Sequence, residues 1–324
     1  MPMPSLDIVI VNWNAGGQLQ ACLASLAGCV QSTFVLSRVI IVDNASTDGS
    51  AVDIGVERVP VQVICNETNI GFGRACNQGA KVGTSDYLLF LNPDTCLSGD
   101  ALQRPLAFLE DRANACVAAA GVQLLDESGA CARTCARLPN ALRLVSSILG
   151  LDRIAPRWFP GVLMRDWAHD ETRAVDNVMG AYYLVRRRAF EAVGGFDENF
   201  VMYWEDVDLS CRLRAAGWSI VYLADVRVIH VGCGTSRGAK ADRMLYALGS
   251  RIRYARKHFS SAGALCVVAV TVAVEPPLRL LDAILLKRSI GDVRAVLAGY
   301  RMFCARGVRV PFAKRCPPEA VQIH

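Results

Sequence analysis

The chain has 324 residues, 52% of them hydrophobic and 20% charged, with a formal net charge of +5. That length suits one large α/β domain with or without an appendage, and so small a charge with no matching motif excludes a nucleic-acid reader. The mean hydropathy of +0.28 is high for a purely soluble enzyme and leaves room for membrane contact.

The first part alternates strand and helix. Leu6–Val11 is a short apolar run, and Gln18–Ala27 has helical spacing at Leu19, Cys22, Leu23 and Leu26. Strands are expected at Val39–Val42, Val61–Cys65, Tyr87–Leu91 and Cys116–Ala120, with helices around Ser50–Val56, Phe72–Val82 and Asp100–Asp111. This βαβ rhythm predicts a parallel, doubly wound sheet. From Asp126 to Val175 the rhythm breaks into a loop-rich region, of the length that is more often functional than idle. Regularity returns with a strand at Asn177–Val185 and a helix at Arg187–Val193 closed by Gly194-Gly195. A helix at Val207–Ala216 closed by Gly217 and strands at Ser219–Leu223 and Val226–Val231 follow.

Arg243–His258 reads as a basic helix. Ser261–Val274 is uncharged and apolar but shorter than the roughly 20 residues a spanning helix needs, and Pro276-Pro277 is expected to break it. Leu278–Leu286 is a further apolar stretch, interrupted by Arg279 and Asp282. Two readings stand for this region: helices lying on a bilayer, with cations on both flanks, or a buried helical hairpin. Residues 1–7 have no basic or apolar leader, so no signal peptide is expected. The thirteen cysteines are odd in number and scattered. Cys65, Cys116 and Cys266 fall in expected core elements, and no His stands near Cys131 and Cys135 at zinc spacing. Free thiols in a reducing cytosol are the simplest reading.

The chemistry concentrates where strands end. Asn12-Trp13-Asn14 follows the first strand and Asp43-Asn44-Ala45-Ser46-Thr47-Asp48-Gly49-Ser50 the second. Asp43, at a strand tip, can accept from the imide N–H of uracil or thymine, whereas Ser46 and Asp48 read as N-caps of the next helix. In Asn69-Ile70-Gly71-Phe72-Gly73-Arg74, glycines let backbone approach a ligand and Arg74 can neutralise phosphate. Asn92-Pro93-Asp94 ends a buried strand, and Asp94 is placed to hold a hard cation. Tyr203-Trp204 suits a sugar face, followed by Glu205, Asp206 and Asp208. Asp206 is expected to stay ionised, as a general base must. His230 ends a strand and becomes a credible metal ligand in a chain that also offers Asp94.

Together these motifs resemble the family-2 glycosyltransferases of GT-A fold, over about Leu6 to His258, and within them the rhamnosyltransferase-like enzymes of bacterial polysaccharide assembly. These carry Asn-Pro-Asp where other GT-A enzymes carry Asp-x-Asp. The resemblance implies that Asp43 reads the base and Asp94 binds Mg²⁺ or Mn²⁺. It makes Asp206 the catalytic base, with Glu205 beside it, and gives His230 a role at the metal or diphosphate. Asn12, Asn14, Asn44, Asn69, Gly71, Phe72, Arg74 and Asn92 are then expected around a dTDP- or UDP-sugar. Tyr203, Trp204 and Asp208 are expected at a saccharide or lipid-linked acceptor. The Gln-x-x-Arg-Trp signature of processive synthases is missing, which favours one sugar per event.

The expected architecture is a mostly parallel, Rossmann-like central sheet flanked by helices. Residues 1–125 form the donor half, 126–240 the acceptor half, and 241–324 a helical, membrane-associating region at the cytoplasmic face of the membrane. A sugar-phosphate nucleotidyltransferase would carry a basic Gly-rich loop after the first strand, where Asn12–Gly17 has no Lys or Arg. A non-catalytic membrane-tethered subunit would have no need of Asp94, Asp206 and His230 together.

Overall fold

The computed structural model describes residues 3–29, 33–52, 54–232, 240–285 and 290–305. In chain order the elements are β1 (Ser5–Asn12), α1 (Gly17–Ala27), β2 (Val35–Asp43), β3 (Val61–Cys65), α2 (Phe72–Ala80), β4 (Tyr87–Leu91), β5 (Thr95–Cys96), α3 (Gln103–Glu110) and β6 (Val117–Leu125). These continue with α4 (Ala141–Ile148), α5 (Leu151–Ile154), β7 (Arg173–Val175), β8 (Tyr182–Arg186), α6 (Arg187–Ala192), α7 (Glu205–Ala215) and β9 (Ser219–His230). The last are α8 (Lys240–His258), α9 (Ser261–Ala269), α10 (Glu275–Leu285) and α11 (Ile290–Ala305).

The strands form one sheet in the order β3-β2-β1-β4-β8-β6-β9-β5, with β7 on β9. β3, β2, β1, β4, β6 and β9 share one direction; only β8 and the short β5 and β7 oppose them. Side-chain alternation on β1 explains its burial on both faces. Leu6, Ile8 and Ile10 pack on α1 and α3 on one side, and Val9 and Val11 on α2, α6 and α7 on the other. The chain winds outward from β1 to β3, then restarts at β4 on the opposite side of β1. Ligands of such sheets bind at that reversal, beyond the carboxyl ends of the strands.

Several sequence expectations are corrected. The helix expected around Ser50–Val56 does not occur among the described residues: Ser50–Val52 is turn and bend, and Asp48 Oδ1 takes both the Ser50 N–H and hydroxyl (3.0 and 2.6 Å), competing with helical bonding. The strand expected at Asn177–Val185 starts only at Tyr182; Asn177 instead pairs with Ala136. The two strands expected over 219–231 are one, β9, with a register shift against β6 at Val122/Gln123. Cys65, Cys116 and Cys266 are exposed. The 126–175 region is not wholly irregular: it holds α4, α5 and β7, and a paired Arg137–Asp166 (2.6 Å) ties it together.

The proline pair does not end the C-terminal helix. A π-helical segment, Val270–Val274, joins α9 to α10. Its wider turn sits where Pro276 and Pro277 would collide with the carbonyls four residues back and donate no N–H. Ser261–Ala283 is thereby long and apolar enough to cross a membrane by length and composition, and little of it is buried. Glu275, buried beneath it, pairs with Arg251 of α8 and with Arg279. Its outer face stays apolar, with Leu265 69% exposed. Ala141 of α4 closes on Gly263 of α9.

Candidate active site

At the tips of β1 and β2 the polar side chains are locked together. The fully buried Asn12 donates from its amide to Asp43 Oδ1 (2.7 Å), Ser50 Oγ (2.9 Å) and Ser46 Oγ (3.1 Å). Ser46 donates its hydroxyl to Asp43 Oδ1 (2.6 Å) and its N–H to Oδ2 (3.0 Å). Asp43 therefore keeps acceptor capacity on Oδ2 for one more donor. Asn14, in left-handed backbone, donates its N–H to Ser46 Oγ, and its side-chain Oδ1 accepts from Thr47 N–H. Asn12 stands behind Asp43 and positions it. Ser46 and Asp48 cap no helix: Ser46 braces Asp43, and Asp48 Oδ2 accepts from Gly16 N–H at 2.8 Å, fastening the entry to α1.

The turn before α2 is built for close backbone approach. Asn69 Oδ1 accepts from Gly71 N–H (3.0 Å), and the buried Asn44 donates to Gly71 O (3.3 Å). Gly71 has φ 91°, and a Cβ there would lie 2.7 Å from Val201 O, so only glycine fits. Phe72 sends its N–H to the same carbonyl (2.9 Å) and packs its ring edge-on against Phe196. Arg74 Nε bonds Glu198 Oε2 at 3.1 Å.

After β4, Asn92 sends its backbone N–H to Ala181 O (3.0 Å). Asp94 Oδ1 lies 3.2 Å from His230 Nε2, and the Asn92 amide lies 3.5 Å from the same nitrogen. The pairing of β5 with β9 sets this, with Thr95 opposite His230 and Val231 N–H on Asp94 O. Two residues 136 positions apart are thus joined by sheet register.

The acidic motif begins α7. Tyr203 and Trp204 are both left-handed (φ 67° and 72°), so the chain turns sharply into the helix. Asp206 Oδ2 accepts from Gly180 N–H at 3.0 Å and Oδ1 from Val207 N–H at 2.8 Å. Burial, then the Asp206 carboxylate, pushes Glu205 up to about 8, and its Oε2 has no partner. Burial also raises Asp206, against the two N–H bonds that favour its charged form. Glu205 therefore holds a proton more readily than Asp206, whose two N–H bonds favour its charged form. Asp208 departs from expectation. It is fully buried and bonded by Arg212 Nε (2.8 Å), Lys257 Nζ (2.7 Å) and His258 Nε2 (2.7 Å), so it fastens α8 to α7 and cannot reach an acceptor. Trp204 packs on Tyr254 of α8 (5.3 Å), and Tyr203 OH accepts from Arg243 Nε (3.0 Å).

These segments form one circuit. Asn44 reaches Gly71, the next residue Phe72 reaches Val201, and Val201 leads to Glu205 and Asp206. Asp206 reaches Gly180, Ala181 reaches Asn92, and Asn92 leads to Asp94 and His230. The residues that sequence reasoning missed are Gly180, Ser46 and His258. Gly180 carried a signal, since a glycine within a strand pattern marks close backbone approach. His258 carried none, because its partner lies 50 residues away.

The donor set of Asp94 and His230 fits a divalent ion. One carboxylate oxygen and one imidazole nitrogen converge beyond β4 and β9, a mixed O/N pair suited to Mn²⁺ and, through the carboxylate, to Mg²⁺. No cluster of three or more His, Cys, Asp or Glu with metal spacing occurs among the described residues, so ligand oxygens and water would complete the shell.

Residues 7–144 match the family described as Glycosyl transferase family 2, and residues 87–303 match Glycosyl transferase family group 2. An N-acetylglucosaminyl-diphospho-decaprenol L-rhamnosyltransferase of Mycobacterium tuberculosis is 31% identical over 242 residues, covering 69% of this chain and 75% of that protein. Rhamnosyltransferase WbbL of Escherichia coli is 30% identical over 183 residues, covering 54% and 64%. Among solved structures, mannosyltransferase PcManGT from Pyrobaculum calidifontis in complex with GDP-Man and Mn²⁺ superposes with TM-score 0.53 at 16% identity, over 93% of this chain and 80% of that one. S. aureus TarS 1-349 in complex with UDP-GlcNAc gives 0.54 at 14%, over 92% and 80%. At such identities the structural likeness speaks for the fold alone.

Proposed function

Because the chain belongs to the family-2 glycosyltransferases, on their rhamnosyltransferase-like side, we propose that it transfers one rhamnose from a nucleoside-diphosphate sugar to a lipid-linked saccharide, with inversion. The observation that carries this is the circuit that holds Asp206 and the Asp94–His230 pair on either side of the Gly180–Ala181 backbone. The named activities of the mycobacterial and E. coli relatives support the choice of sugar, and the former supports a diphosphate-lipid acceptor.

Asp43 accepts the imide N–H of a thymine or uracil, oriented by Asn12 and Ser46. Asp94 and His230 would hold Mg²⁺ or Mn²⁺ against the donor diphosphate. When bound, that ion supplies charge neutralisation to the leaving nucleoside diphosphate. Asp206 takes the proton of an acceptor hydroxyl, which attacks the anomeric carbon from the face opposite the leaving group. The neutral Glu205 beside it adds no competing charge. Residues 1–125 hold the donor, 126–240 shape the acceptor side, and 241–324 bring the enzyme to the cytoplasmic face of a membrane through the outer face of α9.

The deciding assay supplies dTDP-rhamnose or UDP-rhamnose with Mn²⁺ and a prenyl-diphosphate-linked N-acetylhexosamine. Nucleoside diphosphate should appear in step with a glycolipid one deoxyhexose heavier. Formation of a nucleotide sugar from a sugar phosphate and a nucleoside triphosphate, with release of inorganic diphosphate, would replace this reading with a nucleotidyltransferase.

A further inference from the structure

A cavity of about 1270 Å³ does not include Asp43, Asp94 or His230. It lies between α4–α5, the Val162–Arg165 strip, Tyr203-Trp204, α8 and α10. It is larger than the roughly 300–1,000 Å³ that encloses a drug-sized ligand. Its lining includes Tyr203 and Trp204, the two residues that lead directly into Glu205 and Asp206. It also includes Ile154, 80% exposed, and Leu281, 51% exposed.

The lining has two characters. Leu144, Ile148, Leu149 and Leu278 make apolar walls, while charged groups number five arginines against three carboxylates. Arg251 and Arg279 are taken by Glu275. Arg153 and Arg165 line it and are exposed, with no side-chain partner among the described residues. A cavity with apolar walls, two exposed arginines and exposed apolar residues in its lining matches an amphiphile whose anionic group adjoins a hydrocarbon chain. A neutral sugar would need neither feature, and a free nucleotide would not need the apolar walls.

We infer that this cavity binds the prenyl-diphosphate portion of the acceptor. Arg153 and Arg165 take the diphosphate, and the first isoprene units lie along α4 and α10. The remaining chain stays in the bilayer beside α9, while the saccharide projects past Tyr203-Trp204 toward Asp206. This rests on the lipid-linked acceptor proposed above and adds where, and by which side chains, the lipid diphosphate is held.

The test uses the full chain and farnesyl diphosphate as probe, in EDTA so that the Asp94–His230 site holds no metal. The probe should bind wild type, with farnesol and inorganic diphosphate at least tenfold weaker. Arg153→Ala with Arg165→Ala should weaken the probe at least tenfold and raise KM for the prenyl-diphosphate acceptor similarly, with dTDP affinity and KM for the nucleotide sugar unchanged. Ile148→Trp, which fills the cavity without touching charge, should give the same split. Equal probe affinity in wild type and the arginine variant overturns the inference, as does full displacement of the probe by dTDP or by phosphatidylglycerol vesicles. Failure of the transferase reading looks different: no nucleotide sugar is consumed with any acceptor, while arginine-dependent probe binding persists.

Discussion

The two sides of the site are built by opposite physics. At the tips of β1 and β2, short polar side chains fix one another, so Asp43 is aimed before any ligand arrives. Between α4–α5 and α10 the walls are hydrocarbon, two arginines are exposed and several leucines stand half in water. Directional bonds suit a ligand with one edge to be read. Hydrophobic contact is non-directional and suits a long flexible chain. On the proposed reading, the difference teaches that donor recognition rests on preformed geometry, and acceptor recognition on solvation and charge.

The largest expected effect falls where the two sides meet. Asp206→Asn should keep donor affinity and lower kcat by roughly 10²–10⁴-fold, the contribution of a positioned general base; isothermal titration and turnover measured together check the split. Turnover near wild type would move the role to Glu205. On the donor side alone, Asp94→Ala should weaken nucleotide-sugar binding by an order of magnitude or so with Mn²⁺ present. His230→Ala should act more mildly, and neither should matter in EDTA. Equal binding by wild type and Asp94→Ala under both conditions would break the metal assignment.

The seam between α7 and α8 responds to pH instead. Burial alone would raise Asp208, but its bonds from His258 and Lys257 hold it down at about 2. Burial alone would lower His258, but Asp208 and Cys211 raise it to about 9. His258 therefore stabilises the fold fully below its unfolded value of about 6.5, and this contribution fades as pH climbs through 9. Asp208 contributes above about 3.9 and loses its effect as pH falls toward 2. Denaturant unfolding should show wild type losing about 1.5–3 kcal/mol between pH 6.5 and 9.5, the range for a hydrogen bond to a charged group. His258→Gln should show a much flatter profile. The smallest effect belongs to the outer flank. Leu265→Glu should leave stability nearly unchanged, because the side chain is exposed, and reduce co-sedimentation with anionic vesicles several-fold. Unaltered sedimentation would remove α9 from the membrane contact.

Most of the sheet was legible, because strands β1, β2 and β4 are buried on both faces and must be apolar runs. Asp43, Asp94, Asp206 and His230 were legible as chemistry because each stands where an apolar run stops. Asp208 was misread, since its acidic neighbours are identical in kind and only packing shows that it points at Lys257 and His258. The Arg74 partner was not legible for the same reason: nothing in its own segment announces Glu198, 124 residues on.

What the sequence determined by itself is local. Periodicity set which segments are strands and helices, and composition set which strand ends carry carboxylate, amide and imidazole side chains. Tertiary structure decided everything that depends on two distant segments meeting. The β5–β9 register put His230 on Asp94, the Gly180 N–H aimed Asp206, and the burial of Glu205 kept its proton. It also let the π-helical turn carry the C-terminal helix through two prolines, which a local rule forbids. Short-range propensities are written residue by residue, whereas register, desolvation and cavity shape exist only once the layers have packed.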